Sequence, residues 1–225
     1  MKLQTILFDL DGTLLDTLED LAAAVNQALA EHGLAPLAVD DYRLLAGAGA
    51  RNLMKRAFLA ATGEPLAEAQ QAKADSLLDA FNRAYDHSWA DHTRPYDGIP
   101  GLLEQLRTAG IQLAVISNKP DVFTRRVISH FFAADVFCAV TGKLDEWPIK
   151  PDPALTLEIC RQIGADPDTT AMIGDSGSDM ITAVNAGLLP IGVLWGFRDE
   201  AELLEGGARH LASTPQDLYN IIAGR

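Results

Sequence analysis

Short apolar segments alternate with helix-like segments over most of the chain, and this alternation restricts the fold more than any other feature of the sequence. The apolar segments span residues 3–8, 111–116, 136–140, 170–173 and 189–194, and each is short enough for a buried strand. Strands that alternate with helices join through right-handed crossovers into a parallel sheet. We therefore predict an α/β fold, with a Rossmann-like parallel sheet core and helices on both faces.

The segment between the first two strands differs from the rest of the chain. Residues 17–94 repeat their apolar positions at helical spacing, are interrupted by glycine and proline, and show no strand pattern. We predict that they form an inserted all-helical cap domain. Residues 1–16 and 95–225 would then together form the α/β core.

Composition excludes several classes of function. The net charge is −13, which is unfavourable for binding a nucleic acid backbone. No stretch approaches the ~20 consecutive apolar residues that a membrane span requires. The first apolar segment ends at Asp9 and Asp11, unlike a signal peptide, and two cysteines without CxxC spacing suit a reducing compartment. We expect a cytoplasmic protein with no nucleic acid or membrane partner.

Polar side chains follow the strand-like segments at the points where those segments end. Because the carboxyl ends of parallel strands lie at one edge of a sheet, we expect these side chains to meet there. A lysine in the loop after the third segment is placed to join them. The residues are Asp9 and Asp11 after the first segment, Ser117, Asn118 and Lys119 after the second, Lys150, and Asp175 and Asp179 after the fourth.

Together these residue types suit phosphate chemistry. Ser117 and Asn118, on a turn entering a helix, suit phosphate oxygens, and Lys150 supplies positive charge. Asp9 and Asp175 can hold Mg²⁺, which prefers a few carboxylates together with phosphate oxygens and water. Each group alone has a simpler explanation, because Ser, Asn and Asp commonly cap helices and lysines are commonly solvated. Only their joint placement favours a site for a small phosphorylated metabolite.

Four stretches resemble the signatures of the haloacid dehalogenase superfamily of aspartate-nucleophile phosphohydrolases, in order and over nearly the full length. The resemblance implies that Asp9 is the nucleophile and that Asp11 is the general acid and base. It also implies a helical cap between the first two signatures. The stretches are Asp9-Leu10-Asp11-Gly12-Thr13, Ser117-Asn118, Lys150 before Pro151-Asp152-Pro153, and Gly174-Asp175-Ser176-Gly177-Ser178-Asp179.

The resemblance also implies roles for the other residues. Asp175, Asp9 and the backbone carbonyl of Asp11 would bind Mg²⁺. Asp179 would support the metal site without coordinating the ion directly, or would fix Lys150. Thr13 would help to orient Asp11. The residues that would contact the substrate phosphoryl group are Ser117, Asn118 and Lys150. A carboxylate at Asp11 favours phosphate ester cleavage over dehalogenation, because a leaving halide needs no proton.

Within the superfamily the chain most resembles phosphoglycolate phosphatases. The stretch from Gly47 to Leu53 fits this subgroup, with Gly49 allowing close approach of the backbone to a small substrate. Arg51 would meet the substrate carboxylate, although a solvent-exposed helix position explains it equally well. Lys119 would assist substrate binding. The resemblance implies 2-phosphoglycolate as the substrate.

Three other functions remain open at this stage. A pyrophosphatase or a sugar-phosphate mutase of the same superfamily would use the same residues on a different substrate. A phospho-acceptor switch that binds partners also collects acids and a lysine at strand ends, but such domains lack a large insertion after the first strand. The sequence is compatible with a monomer or a homodimer.

Overall fold

The structure is a computed structural model that describes residues 2–67 and 70–224. Its strands are β1 (Thr5–Phe8), β2 (Leu15–Asp16), β3 (Arg94–Pro95), β4 (Gln112–Pro120), β5 (Ala139–Lys143), β6 (Thr170–Gly174), β7 (Leu189–Val193) and β8 (His210–Ala212). Its α-helices are α1 (Leu18–Glu31), α2 (Tyr42–Leu45), α3 (Ala50–Thr62), α4 (Gln71–Ser88), α5 (Ile99–Thr108), α6 (Asp121–Phe131), α7 (Ala154–Ile163), α8 (Gly177–Asn185), α9 (Glu200–Glu205) and α10 (Pro215–Ile222).

Six parallel strands form the main sheet in the order β5-β4-β1-β6-β7-β8, which confirms the predicted parallel sheet. Strand β1 is central, and Phe8 lies opposite Val115 of β4 and Ile173 of β6. All four residues of β1 and all five of β6 are buried. Their continuous apolar character, without alternation, is typical of strands covered on both faces.

The order of the strands places helices on both faces of the sheet. From β1 the chain moves through β4 to β5 in one direction, and through β6, β7 and β8 in the other. Right-handed crossovers that run in opposite directions lie on opposite faces. On one face, side chains of three strands pack against α7 and α8 in a buried cluster that includes Leu7, Ala114, Ile116, Met172, Leu155, Ile159 and Ala183.

Three details of the sheet differ from the sequence prediction. Strand β8 was not predicted, because three residues are too few to show periodicity, and His210 is exposed while Leu211 is half-buried. The third predicted strand, 136–140, is displaced to Ala139–Lys143. Strand β4 also continues to Pro120 through a register irregularity, so Ser117 and its neighbours lie in its last residues and not on a turn.

The chain divides into two compact units, Met1–Asp16 with Pro95–Arg225, and Thr17–Arg94. The first contains the six-stranded sheet. The second contains α1 to α4, and within it the buried Asp20 carboxylate accepts hydrogen bonds from the backbone N–H groups of His92 and Thr93 at 2.8–3.1 Å. In the described ranges, no helix combines the length and the apolar character that crossing a lipid bilayer demands.

Candidate active site

Two carboxylates lie at the point where the strand order reverses. Asp9 directly follows β1, and its backbone N–H donates to the carbonyl oxygen of Ile173 at 2.9 Å. Asp175 directly follows β6, which pairs with β1 on the side opposite β4. In open α/β sheets, ligands bind in the crevice outside the carboxyl ends of the strands at this point. The topology therefore brings both side chains to the preferred ligand position of this fold.

Lys150 supplies the positive charge between these carboxylates. Its Nζ donates to Asp9 Oδ1 at 2.8 Å, to Asp179 Oδ1 at 2.6 Å and to the carbonyl oxygen of Ile116 at 3.2 Å. Burial by itself lowers the pKa of Lys150, but the carboxylates of Asp179 and Asp9 outweigh burial and raise it. Lys150 is therefore a fixed cation with all three ammonium protons donated to protein acceptors.

Asp179 is held in place by the start of helix α8. Its Oδ2 accepts hydrogen bonds from the backbone N–H of Ser176 at 3.1 Å and from Ser176 Oγ at 2.6 Å, while Ser176 caps the Asp179 N–H in return. This reciprocal arrangement is a capping box. Because the other oxygen of Asp179 accepts from Lys150, the carboxylate links the helix terminus to the ammonium group.

Asp175 is fixed by two donors from different loops. Thr13 Oγ1 donates to Asp175 Oδ1 at 3.1 Å, and the backbone N–H of Phe197 donates to Oδ2 at 2.8 Å. Burial raises the pKa of Asp175 to about 7, the nearby Asp179 adds to this, and the two hydrogen bonds oppose it. The structure thus places the Thr13 hydroxyl on Asp175, whereas the sequence led us to expect it to orient Asp11.

The cluster of Asp9, Asp175 and Asp179 carries more negative charge than its protein partners neutralise. Oxygens of these three buried carboxylates lie within 4.8 Å of one another. Burial, and then the charge of Asp179, raise the pKa of Asp9 against the opposing effect of Lys150. Three carboxylates beside one ammonium group leave an excess that a divalent cation would offset. The donor set therefore fits a metal site.

Asp11 and Lys119 form an ion pair beside this cluster. Lys119 Nζ lies 3.0 Å from Asp11 Oδ1 and 3.2 Å from Oδ2. The lysine side chain is 5% exposed and the aspartate side chain 17% exposed. The structure therefore brings together two residues for which the sequence predicted separate roles, proton transfer for Asp11 and substrate binding for Lys119.

Ser117 and Asn118 are buried at the end of β4. The Asn118 side chain accepts a hydrogen bond from the Lys150 N–H at 2.9 Å and donates to the Lys150 carbonyl oxygen at 3.1 Å. Ser117 Oγ accepts from the backbone N–H of Lys119 at 3.2 Å. Both residues lie at the predicted edge of the sheet, and Asn118 joins that edge to the Lys150 segment.

Trp195, Gly196 and Phe197 follow the fifth predicted strand, and the sequence led us to expect that they rim the site or position the cap. Trp195 Nε1 donates to the carbonyl oxygen of Thr13 at 3.0 Å, and Phe197 contacts Asp175 as described above. A Cβ atom at Gly196 would collide with Asp175 and lie 2.5 Å from the carbonyl oxygen of Gly12.

Gly49 and Arg51 lie in the second unit, Thr17–Arg94. Gly49 has a φ of 81° and precedes helix α3. Arg51, in the first turn of α3, pairs through Nη1 with Asp75 Oδ1 of α4 at 2.6 Å, and both side chains are about half exposed. This pair accounts for Arg51 within its own unit, and contact of Gly49 or Arg51 with substrate stays a prediction.

Comparison with known proteins is consistent with this geometry. The sequence model of the family described as haloacid dehalogenase-like hydrolase matches residues 6–193. A phosphoglycolate phosphatase of Caulobacter vibrioides is 40% identical over 196 residues, which cover 87% of this chain and 81% of that protein. An N-acetylmuramic acid 6-phosphate phosphatase of Pseudomonas aeruginosa is 31% identical, with 99% and 96% covered.

Solved structures show the same fold. A protein from Lactobacillus delbrueckii subsp. bulgaricus superposes with a TM-score of 0.92 at 32% identity, and the match covers 100% of both chains. The family match spans most of the chain, and the relatives are similar over most of their own length. These findings confirm the resemblance inferred from the sequence motifs: the chain belongs to the haloacid dehalogenase-like hydrolase family.

Proposed function

We propose that the chain is a Mg²⁺-dependent phosphohydrolase that cleaves a small phosphate monoester, with 2-phosphoglycolate as its substrate, through an aspartyl-phosphate intermediate. The observation that carries the proposal is the buried set of Asp9, Lys150, Asp175 and Asp179 at the switch point of the sheet. It combines a carboxylate nucleophile, a fixed cation and a cluster that fits a metal ion.

In the first step an Asp9 carboxylate oxygen attacks phosphorus, and the bond from phosphorus to the ester oxygen breaks. The leaving alkoxide takes a proton from the Asp11 carboxyl group and departs as an alcohol. Asp9 Oδ1 already accepts a hydrogen bond from Lys150, which orients the carboxylate for attack. Splitting the hydrolysis into two steps replaces one difficult displacement by two easier ones.

In the second step a water molecule attacks the phosphorus of the aspartyl-phosphate. The ionised Asp11 carboxylate takes a proton from that water, the Asp9 carboxylate is regenerated and inorganic phosphate leaves. Ser117, Asn118 and Lys150 are the residues that the proposal places around the phosphoryl oxygens. Ser117 and Asn118 would offer hydroxyl and amide donors, and Lys150 would stabilise the charge of the transition state through its fixed positive charge.

Asp9, Asp175 and the backbone carbonyl of Asp11 would hold Mg²⁺, and Asp179 would keep Lys150 in position. The bound cation would offset the negative charge of the phosphoryl group and the carboxylates. The Thr13 hydroxyl and the Phe197 N–H orient the Asp175 carboxylate for this role.

A variant at the nucleophile tests the proposal. Asp9→Asn keeps the size of the side chain but removes the attacking carboxylate. We expect hydrolysis of p-nitrophenyl phosphate at saturating Mg²⁺ to fall by more than about a hundredfold. The matched control is Asp145→Asn, since the Asp145 side chain is fully exposed. Activity of Asp9→Asn within about tenfold of the parent would rule out Asp9 as nucleophile.

The substrate is tested by ranking phosphate esters by kcat/KM. The relatives named phosphoglycolate phosphatase support 2-phosphoglycolate. The relative named N-acetylmuramic acid 6-phosphate phosphatase aligns over nearly all of both chains and supports a second candidate. Each compound combines a phosphate monoester with a carboxylate. A higher kcat/KM for an ester without a carboxylate would contradict both.

The remaining alternatives predict different products. A pyrophosphatase would favour inorganic pyrophosphate in the same ranking. A sugar-phosphate mutase would return the phosphoryl group to a sugar and release little free phosphate. A phospho-acceptor switch would stop after one equivalent of phosphate. Release of many equivalents of phosphate from a monoester supports the hydrolase.

A further inference from the structure

The Lys119 ammonium group lies against both oxygens of the Asp11 carboxylate. Both contacts of the Lys119 ammonium with Asp11 are within hydrogen-bond distance, at 3.0 and 3.2 Å. The side chains come from the ends of neighbouring strands, Lys119 from β4 and Asp11 from the turn after β1. The Lys119 side chain is 5% exposed, so the ion pair with Asp11 is largely shielded from solvent.

The backbone of Lys119 is also held on both sides. Its N–H donates to Ser117 Oγ at 3.2 Å, and its carbonyl oxygen accepts from Thr124 Oγ1 at 3.1 Å. Asp11 lies in a turn that is held by an isolated bridge to Leu15 and by the hydrogen bond from the Gly12 N–H to the carbonyl oxygen of Leu15 at 2.9 Å. Both backbones are held, and the lysine side chain is the more buried of the two, so its ammonium group is placed to set the direction of the Asp11 carboxylate.

We propose that Lys119 is a positioning residue that directs the Asp11 carboxylate, and that it does not bind the substrate carboxylate. The proposal rests on the function proposed above, in which Asp11 protonates the leaving alkoxide. A proton donor acts only when it lies within hydrogen-bond reach of the departing oxygen, so its direction affects the rate. Lys119 would act on catalysis only through Asp11.

Three substrates separate the possible roles of Lys119. Ethyl phosphate has a poor leaving group that requires a proton and carries no carboxylate. Phosphoglycolate requires the same proton and carries a carboxylate. p-Nitrophenyl phosphate releases a stable phenolate that requires no proton. The quantity to compare is kcat/KM, because it reports the steps up to departure of the leaving group and excludes the later attack of water.

For Lys119→Met we expect kcat/KM to fall by about tenfold or more on both ethyl phosphate and phosphoglycolate. On p-nitrophenyl phosphate we expect a change of less than about threefold, because no proton is transferred. Lys119→Gln keeps an uncharged donor at this position, and we expect a smaller loss with the same order of substrates. Lys143→Met is the matched control, since the pair that Lys143 forms with Asp145 is exposed.

Other distributions of the loss in kcat/KM among the three esters would overturn the proposal. A loss confined to phosphoglycolate would make Lys119 a ligand of the substrate carboxylate. An equal loss on all three esters, or no loss on any, would also remove the positioning role. If the parent protein hydrolysed none of the three esters, the proposed function itself would be overturned. Failure of the positioning role is distinguishable from failure of the proposed function, because only the latter would abolish the activity of the parent protein.

A double-variant cycle tests whether Lys119 acts through Asp11. Asp11→Asn removes the carboxylate that Lys119 is proposed to direct. Adding Lys119→Met to Asp11→Asn should then lower kcat/KM for ethyl phosphate by less than about twofold. A further loss as large as in the parent background would show that Lys119 acts independently. Thermal unfolding of each variant verifies that the comparison is between folded proteins.

Discussion

The side-chain amide of Asn118 forms two hydrogen bonds with the backbone of Lys150. Asn118 Oδ1 accepts from the Lys150 N–H at 2.9 Å, and Nδ2 donates to the Lys150 carbonyl oxygen at 3.1 Å. Both residues are buried. Asn118 therefore fixes the base of the side chain whose ammonium group contacts Asp9 and Asp179, and it connects strand β4 to the segment that precedes α7.

We expect Asn118→Ala to lower kcat for the phosphatase reaction by about 10–100-fold, as for other partners that orient site residues. The free energy of unfolding should fall by about 1–3 kcal/mol, because the buried N–H of Lys150 loses its acceptor. Steady-state kinetics and urea unfolding measure the two effects.

The matched control for this variant is Asn185→Ala. Asn185 is exposed and donates one hydrogen bond to the carbonyl oxygen of Pro151, the residue after Lys150. Its replacement should change the free energy of unfolding by no more than about 0.5 kcal/mol. Parent-like kcat in Asn118→Ala would show that the two hydrogen bonds do not position Lys150.

A second prediction concerns the charge of Lys150. Lys150→Met leaves the carboxylates of Asp9 and Asp179 in the protein interior without their ammonium partner. Removing one member of a buried ion pair costs about 3–5 kcal/mol, so urea unfolding in the absence of metal should show a loss of this order. Lys143→Met removes an exposed pair and should cost less than about 1 kcal/mol. Equal losses for the two variants would contradict the buried charge cluster.

The sheet edge could be predicted from sequence because its determinants are local. Five of the six strands of the main sheet correspond to short apolar segments in the sequence, and the handedness of crossovers then fixes where their carboxyl ends lie. Asp9, Lys150, Asp175 and Asp179 follow from that logic, and the structure brings them together. Strand β8 was missed because three residues carry no recognisable period.

Contacts made by backbone groups and long side chains could not be predicted in this way. The Phe197 group that donates to Asp175 is a backbone N–H, so the residue type at position 197 does not predict this hydrogen bond. Lys119 could face a ligand or a neighbouring acid, and only three-dimensional proximity shows that Asp11 is its partner. Thr13 was assigned to the nearer aspartate in sequence, whereas the turn directs its hydroxyl to Asp175.

A third prediction links metal binding to pH. Burial raises the pKa of Asp175 from its usual 3.8 to about 7. A carboxyl group with a raised folded-state pKa contributes stability that is present below its unfolded pKa and is lost as pH rises through its folded pKa. Because Mg²⁺ binds the ionised form, we expect the rise in Tm on adding Mg²⁺ to be larger at about pH 8 than at about pH 5.5.

The size of this effect follows from binding linkage. Mg²⁺ at about 100 times its Kd should stabilise the folded state by about 2.7 kcal/mol at the higher pH. Asp175→Asn should abolish the shift, and Asp145→Asn, at a fully exposed position, should retain it. A shift of equal size in Asp175→Asn would place the metal elsewhere.

The fourth prediction concerns the loop after β7. At Gly196 a Cβ atom would collide with Asp175, which we propose as a metal ligand, and with the backbone of Gly12, so neither neighbour can give way by rotating a flexible side chain. We expect Gly196→Ala to weaken Mg²⁺ affinity by about tenfold or more, measured by calorimetry, with a parallel loss of activity. Gly101→Ala is the control, because open space surrounds Gly101 in helix α5 and alanine favours a helix by up to about 1 kcal/mol. Equal Mg²⁺ affinities of Gly196→Ala and Gly101→Ala would show that close packing of this loop does not orient the Asp175 carboxylate.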